Sequence, residues 1–310
     1  MKFSPPLLLT SFTSVLAVGL LWGYSERSRN LDASASETLL QTLLEGSDHD
    51  EAALDPTRHI GSQGATPKAF TVPAVPQAGL SGDLELKVAL LSQSPPSSIA
   101  LQDGARCRLS SGEAMTSDKV KDYLSVQKPG LVRCGGERGR VLVNDRAYEG
   151  TIHLLNRGKG WIAINQIKLE RYVASVVGAE MPSHWNEEAL KAQAVAARSY
   201  ALVHVIRPAT DDWNLGDTTR WQAYSGLMSK TASTRRAASS TSGIVLSFQG
   251  GLVESLYAAT QAITLETHGH LGASMSQHGA QKLAEGGLRF NEILGRYYVG
   301  ASLARIRTDG

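Results

Sequence analysis

Glu180 sits where a chain could hold a proton donor. It follows Val176, Val177 and Gly178 and precedes Met181, Pro182 and Trp185. Apolar spacing over residues 169–177 predicts a short helix that stops at Gly178, a residue able to take the left-handed conformation just past a helix end. Pro182 cannot continue a helix and pushes Met181 toward extended backbone. Glu180 therefore falls on a stiff corner between two helices. Among Val176, Val177, Met181 and Trp185 its carboxylate would be poorly solvated and its pKa raised. A carboxylic acid that keeps its proton near neutral pH can protonate a glycosidic oxygen. The same position would also let Glu180 cap the next helix or pair with Arg198.

Three further polar groups could join such a site. On the helix predicted over residues 186–205, Gln193, Ala197 and Tyr200 share one face, with Lys191 and Arg198 offset from it. The two cations read either as a solvated helix face or as part of a site. Asp217, Thr218 and Thr219 read either as a turn held by their side chains or, with Gln222 and Tyr224, as ligands for sugar hydroxyls. His268, His270 and His278 fall within eleven residues, around Ser276 and Gln277. His268 and His270 would point the same way only in an extended segment, and no acid or cysteine stands at a familiar metal-ligand spacing. No metal site is expected there.

The elements that must position these residues form an α+β pattern. Strand signals lie at residues 84–91, 99–101, 107–109, 131–134, 141–143, 151–155 and 161–164, the last two flanking a hairpin loop at 156–160. This gives a β-rich part over 83–166 and a motif-bearing part over 167–310. The latter adds helices near 169–177, 186–205, 231–242 and 290–298, and a hairpin over 244–257 turning at Gly250-Gly251. Small residues at 192, 194, 196, 197 and 201 let other backbone approach closely, so the 186–205 helix is expected at the centre. Residues 31–82 read as a linker, with one short amphipathic helix at 36–45 and a stretch rich in Gly, Pro, Ser, Ala and Thr after it.

Composition narrows the class. The chain has 310 residues, 42% of them hydrophobic, enough for a sizeable core. A net charge of +2 offers no support for a nucleic-acid partner. No charge occurs from Phe3 to Ser25, a mostly apolar run long enough to span a bilayer, so residues 1–30 read as an uncleaved anchor in preference to a cleaved signal. Either reading places the remainder outside the cytoplasm. The two cysteines, Cys107 and Cys134, then read as a structural disulfide.

Four blocks carry a resemblance over about half the chain. They are residues 172–200 with Glu180-Met-Pro182 and the Lys191-Ala-Gln-Ala-Val-Ala-Ala-Arg198 run, Asp217-Thr-Thr-Arg-Trp-Gln-Ala-Tyr-Ser-Gly226, the 243–257 hairpin, and Met275-Ser-Gln-His-Gly-Ala280 with Ile293-Leu-Gly-Arg-Tyr-Tyr298. In this order they resemble the stage II sporulation protein D and amidase-enhancer family of bacterial cell-wall proteins. The resemblance implies cleavage of peptidoglycan glycan strands by lytic transglycosylation in some members, and stimulation of a wall amidase in others. It implies that Glu180 is the acid. It also implies a cleft near Arg198, and a loop whose Ser276 and Gln277 face the glycan. Well-studied members carry a zinc-site pattern, Cys-Asp-Thr-Thr-His-Cys, where this chain has Gly216, Arg220 and Trp221 in place of the three ligands. Neither metal nor other cofactor is therefore expected. The segment between Tyr257 and Gly269 is also shorter than usual, the histidine after Met-Ser-Gln is displaced by one residue, and Val299 replaces a proline. The expected partners are glycan strands, a membrane through the N-terminal segment and, in the alternative, an amidase.

Overall fold

The computed structural model describes residues 72–77, 84–126, 128–268 and 273–306. The apolar N-terminal run, the 36–45 helix, most of the linker and His270 lie outside the described residues. No helix among the described residues is long and apolar enough to cross a membrane.

The first half is built from nine strands, β1 (Glu85–Ala89), β2 (Ile99–Gln102), β3 (Arg106–Leu109), β4 (Ala114–Met115), β5 (Gly130–Gly135), β6 (Arg140–Val143), β7 (Arg146–Tyr148), β8 (Thr151–Asn156) and β9 (Trp161–Lys168), with one helix, α1 (Ser117–Ser125). Seven of these strands lie where the sequence signals fall, and the short β4 and β7 were not expected. The helix was not anticipated, because only Val120 and Leu124 of it are buried. Its signal is the Thr116 hydroxyl, which accepts a hydrogen bond from the Lys119 amide as an N-cap. Cys107 and Cys134 stand directly opposite each other on β3 and β5 and are bonded, with Cα atoms 4.0 Å apart.

The second half runs α2 (Leu169–Glu180), α3 (Glu187–Ile206), β10 (Leu215–Gly216), α4 (Ala232–Ser240), β11 (Ile244–Phe248), β12 (Gly251–Leu252), β13 (Leu256–Ala258), α5 (Gln261–His268), β14 (Ser274–Ser276), α6 (Gln277–Glu285), α7 (Phe290–Tyr297) and β15 (Ser302–Arg305). The main sheet has the order β10-β1-β9-β8-β5-β3-β4. It is antiparallel throughout except that β10, from the second half, adds parallel to β1. The hairpin turns at Gln249-Gly250, both with positive φ, one residue earlier than its Gly-Gly pair suggested. Two positive φ values at the centre of a two-residue loop match the twist of its strands.

Helix α3 is the axis of this half. Asn186 caps it by accepting from the Glu188 amide, and Glu187 and Glu188 sit at its positive end. Every residue from Ala189 to Val203 except Lys191 is buried. It packs against α2, α4, α6, α7 and β11. The alanine run allows that close approach, and one apolar core joins it to the sheet through Leu86, Ile152, Val173 and Leu190. The α+β class follows from these layers.

Candidate active site

Glu180 is the last residue of α2, so the helix outlasts the stop expected at Gly178. Gly178 serves packing instead. A Cβ there would fall 1.9 Å from the carbonyl oxygen of Ser229, so only glycine lets the 226–230 segment lie against the helix. Ser175 fixes that contact, donating to the Gly226 carbonyl at 2.5 Å and accepting from the Ser229 hydroxyl through its own carbonyl at 2.8 Å. Beyond Glu180 the chain turns as Pro182 requires, with Met181 extended at φ −129°, ψ 143°.

The carboxylate of Glu180 has two donors. Its Oε1 accepts from the Ala223 amide at 2.7 Å and its Oε2 from Nε2 of Gln277 at 3.2 Å. Burial pushes its pKa above the ordinary glutamate range, and these two hydrogen bonds offset only part of that rise. The hydroxyls of Tyr257 and Tyr172 lie close enough to sense its charge, which adds to the burial that raises their own pKa values. Trp185 and His278 pack edge to face at 4.9 Å beside the corner.

Gln222 organises the backbone that reaches Glu180. Its amide oxygen accepts from the Tyr172 hydroxyl at 2.9 Å, and its nitrogen donates to Ala197 O at 3.1 Å and Tyr257 Oη at 2.8 Å. Every one of these bonds is internal and Gln222 has no exposed surface, so it ties Tyr172, Tyr257 and the Ala197 carbonyl together. The next residue is Ala223, the donor to Glu180.

Residues 157–248 match the family model described as Stage II sporulation protein. The match contains Glu180, the 217–223 loop and all of α3. Over this segment the chain is similar to stage II sporulation protein D and amidase enhancer proteins. Similar proteins include an uncharacterized protein of Brachyspira hyodysenteriae, 31% identical over 38% of this chain and 32% of its own length. The Amidase enhancer of Bacillus subtilis is 38% identical over 27% of this chain and 11% of its own. Stage II sporulation protein D of the same organism is 29% identical over 32% of this chain and 33% of its own. The chain thus spans about a third or less of the length of these relatives.

Several residues that the family resemblance directed toward a cleft lie elsewhere. Arg198 has no exposed surface. It forms a bidentate pair with Glu170 at 2.8 and 2.7 Å and donates to the carbonyls of Ala194, Ile244 and Ala238. All five donors of its guanidinium are used, so it ties α2, α3, α4 and β11 together and neither orders Glu180 nor meets solvent. Lys191 is turned to Glu187 and Glu188, at 3.0 and 2.9 Å. Asp217 caps the turn at Leu91–Gln93, accepting from the amide and hydroxyl of Ser92 at 2.9 and 2.5 Å. Tyr224 is buried and donates to Asn165 at 2.6 Å. Ser276 is the N-cap of α6, accepting from the Gly279 amide at 3.0 Å, so the Met-Ser-Gln block opens a helix and is not a loop. Gln277 meets Glu180 itself. Gln193 is fully buried, and among the described residues neither end of its amide has a hydrogen-bonding partner.

Ala223, Tyr257, Glu170 and Ser92 were the residues that sequence reasoning did not single out. Of these, Ala223 and Tyr257 left a trace, the first inside the 217–226 block and the second at the end of the 243–257 block. A concavity of about 270 Å³ between Lys87, Gln166, Pro208, Trp213 and Asn214 includes neither Glu180 nor any group that touches it. That hollow therefore lies apart from the Glu180 corner.

Proposed function

We propose that this protein cleaves peptidoglycan glycan strands as an extracytoplasmic lytic transglycosylase, with Glu180 as its one acid and base. The observation that supports this most is that, among the described residues, Glu180 is bonded to the Ala223 amide and Gln277 and to no second carboxylate. Two-carboxylate glycosidases place an acid and a second carboxylate on either side of the bond. Asp217, the second carboxylate that the motifs offered, spends both oxygens on Ser92. A transglycosylase needs no second carboxylate. Protonated Glu180 gives its proton to the glycosidic oxygen as the C1–O bond breaks. The muramyl C6 hydroxyl then attacks C1, and its proton returns to the Glu180 carboxylate. An internal anhydro ring closes and no water is consumed.

The raised pKa of Glu180 serves the first step by keeping the proton available. The Ala223 amide and Gln277 favour the carboxylate and aim it for the return of the proton. Digestion of purified walls by the full chain in ¹⁸O-labelled water tests this directly. Anhydro ends without label are expected, and labelled reducing ends would replace the reading with a hydrolase.

A second reading draws on the similarity to a protein named Amidase enhancer. In it the chain binds glycan and positions or activates a wall amidase, with Glu180 kept for contact. Walls left intact by the chain alone, but opened faster by an amidase in its presence, would select this reading. The N-terminal apolar run would hold either activity at the outer face of the membrane.

A further inference from the structure

We propose that Trp221, seated in the notch left by Gly216, locks the 217–223 loop by packing in the place where the resemblance would put a metal, and so positions the Ala223 amide on Glu180. The residues at that place do not fit a metal. Gly216 has no side chain, Arg220 is a cation without a lone pair to give, and the Trp221 indole only donates. Among the described residues, no group of three or more His, Cys, Asp or Glu could hold one.

Geometry supplies the substitute. A Cβ built on Gly216 would lie 2.6 Å from Cε3 and Cζ3 of Trp221 and 2.8 Å from Cδ1 of Leu91, so the indole rests on the bare Gly216 backbone. Trp213 meets the same indole edge-on, 5.5 Å away at 85°, and the exposed Arg220 guanidinium covers it at 4.9 Å. The Trp221 amide closes the turn onto Thr218 O at 2.9 Å.

The loop is then held at three points. Asp217 is bound to Ser92, and its amide donates to Ala89 O. Trp221 fills the notch, and Gln222 is bound to Tyr172, Tyr257 and Ala197. Ala223 is the first residue after these anchors. A shift of the Trp221 ring would pass through one residue to Gln222 and through two to the donor of Glu180. A misplacement of about 1 Å can cost on the order of a hundredfold in rate.

The lock rests on the reading of Glu180 as the acid, and the test separates the two. Trp221→Ala, Gly216→Ala and Trp221→Phe are made in the full chain. The Glu180 carboxyl is then followed by ¹³C NMR of side-chain-labelled glutamate, assigned with Glu180→Gln. Losing the Ala223 donor removes a bond that favours the charged form, so the midpoint should move upward in the two alanine variants. Trp221→Phe should stay close to the parent. In wall digestion kcat should fall about tenfold or more with KM little changed, the pattern of a lost transition-state interaction. Neither chelator nor added zinc should alter the melting temperature.

A titration unmoved in both alanine variants would overturn the lock even if the parent cleaves walls. Its expected upward shift would uphold the lock even if the parent cleaves nothing and the proposed activity fails. Global unfolding of both variants would also overturn it, because Trp221 would then hold the domain and not the loop. A melting temperature lowered by chelator would return the metal.

Discussion

Replacing Arg198 by alanine should cost this protein stability before it costs anything else. The side chain is wholly buried, its partner Glu170 is 29% exposed, and the pair is bidentate. Removing one member of a buried pair typically costs about 3–5 kcal/mol, because the other charge stays behind. The carbonyls of Ala238 and Ile244 lose their donor as well, at about 1 kcal/mol or more each. For a domain of this size each kcal/mol lowers the melting temperature by about 2–4 °C, so a fall of roughly 10–30 °C is expected. Arg198→Lys should lose less, since one ammonium can keep part of the charge pairing but cannot supply the fork. Thermal and urea unfolding, followed by circular dichroism, give the comparison. Wall digestion by the folded fraction of each variant gives the second reading. If Arg198→Ala melts within about 2 °C of the parent yet loses glycan cleavage or binding, the argument fails, and Arg198 serves the site after all.

Reduction of Cys107–Cys134 frees a closure of 27 residues, which the chain-entropy model values at about 3 kcal/mol. The melting temperature should drop by about 6–12 °C while Glu180 chemistry at 25 °C persists, and loss of that chemistry without unfolding would contradict this. Gln193→Leu removes an amide that is buried and unmet. Stability should rise by about 1 kcal/mol, and a clear fall in denaturant midpoint would show that the amide has a partner. The pH dependence of Glu180→Gln has a definite sign. A carboxyl whose folded pKa stands above its unfolded value binds more protons when folded. Its stabilisation is therefore present at low pH and lost as pH rises from the ordinary glutamate value through the folded one. The stability of Glu180→Gln relative to the parent should increase across that window and level off above it. A difference independent of pH would mean that Glu180 titrates normally.

What could be read from one sequence followed the range of the forces involved. The longer strands of the first half and α3 announced themselves in the local sequence, and the Glu180 corner by Pro182 and its apolar neighbours, whereas two- to four-residue strands such as β4, β7, β10, β14 and β15 did not. Helices α1 and α6 are short and bury few residues, so their patterns were faint; their capping residues Thr116 and Ser276 were the better sign. Gly178 was read as a helix stop because glycine suits one, whereas its task is set by Ser229, 51 residues on. The polar site residues fared least well. Arg198 finds Glu170 across 28 residues, Asp217 finds Ser92 across 125, and Gln222 finds Tyr257 across 35. Such pairings depend on how α2, α3 and the sheet pack, and a single chain carries no local trace of them. The motif therefore named the residues, while the packing of the chain decides what each one touches.

The central claim is that one carboxyl does the work. The most direct measurement is digestion of defined glycan strands by the full chain and by Glu180→Gln, with both proteins confirmed folded and the products weighed by mass spectrometry. The account predicts anhydromuramyl ends from the parent and, from the variant, cleavage lower by about a thousandfold or more. Anhydromuramyl ends produced by Glu180→Gln at a rate near that of the parent would contradict it.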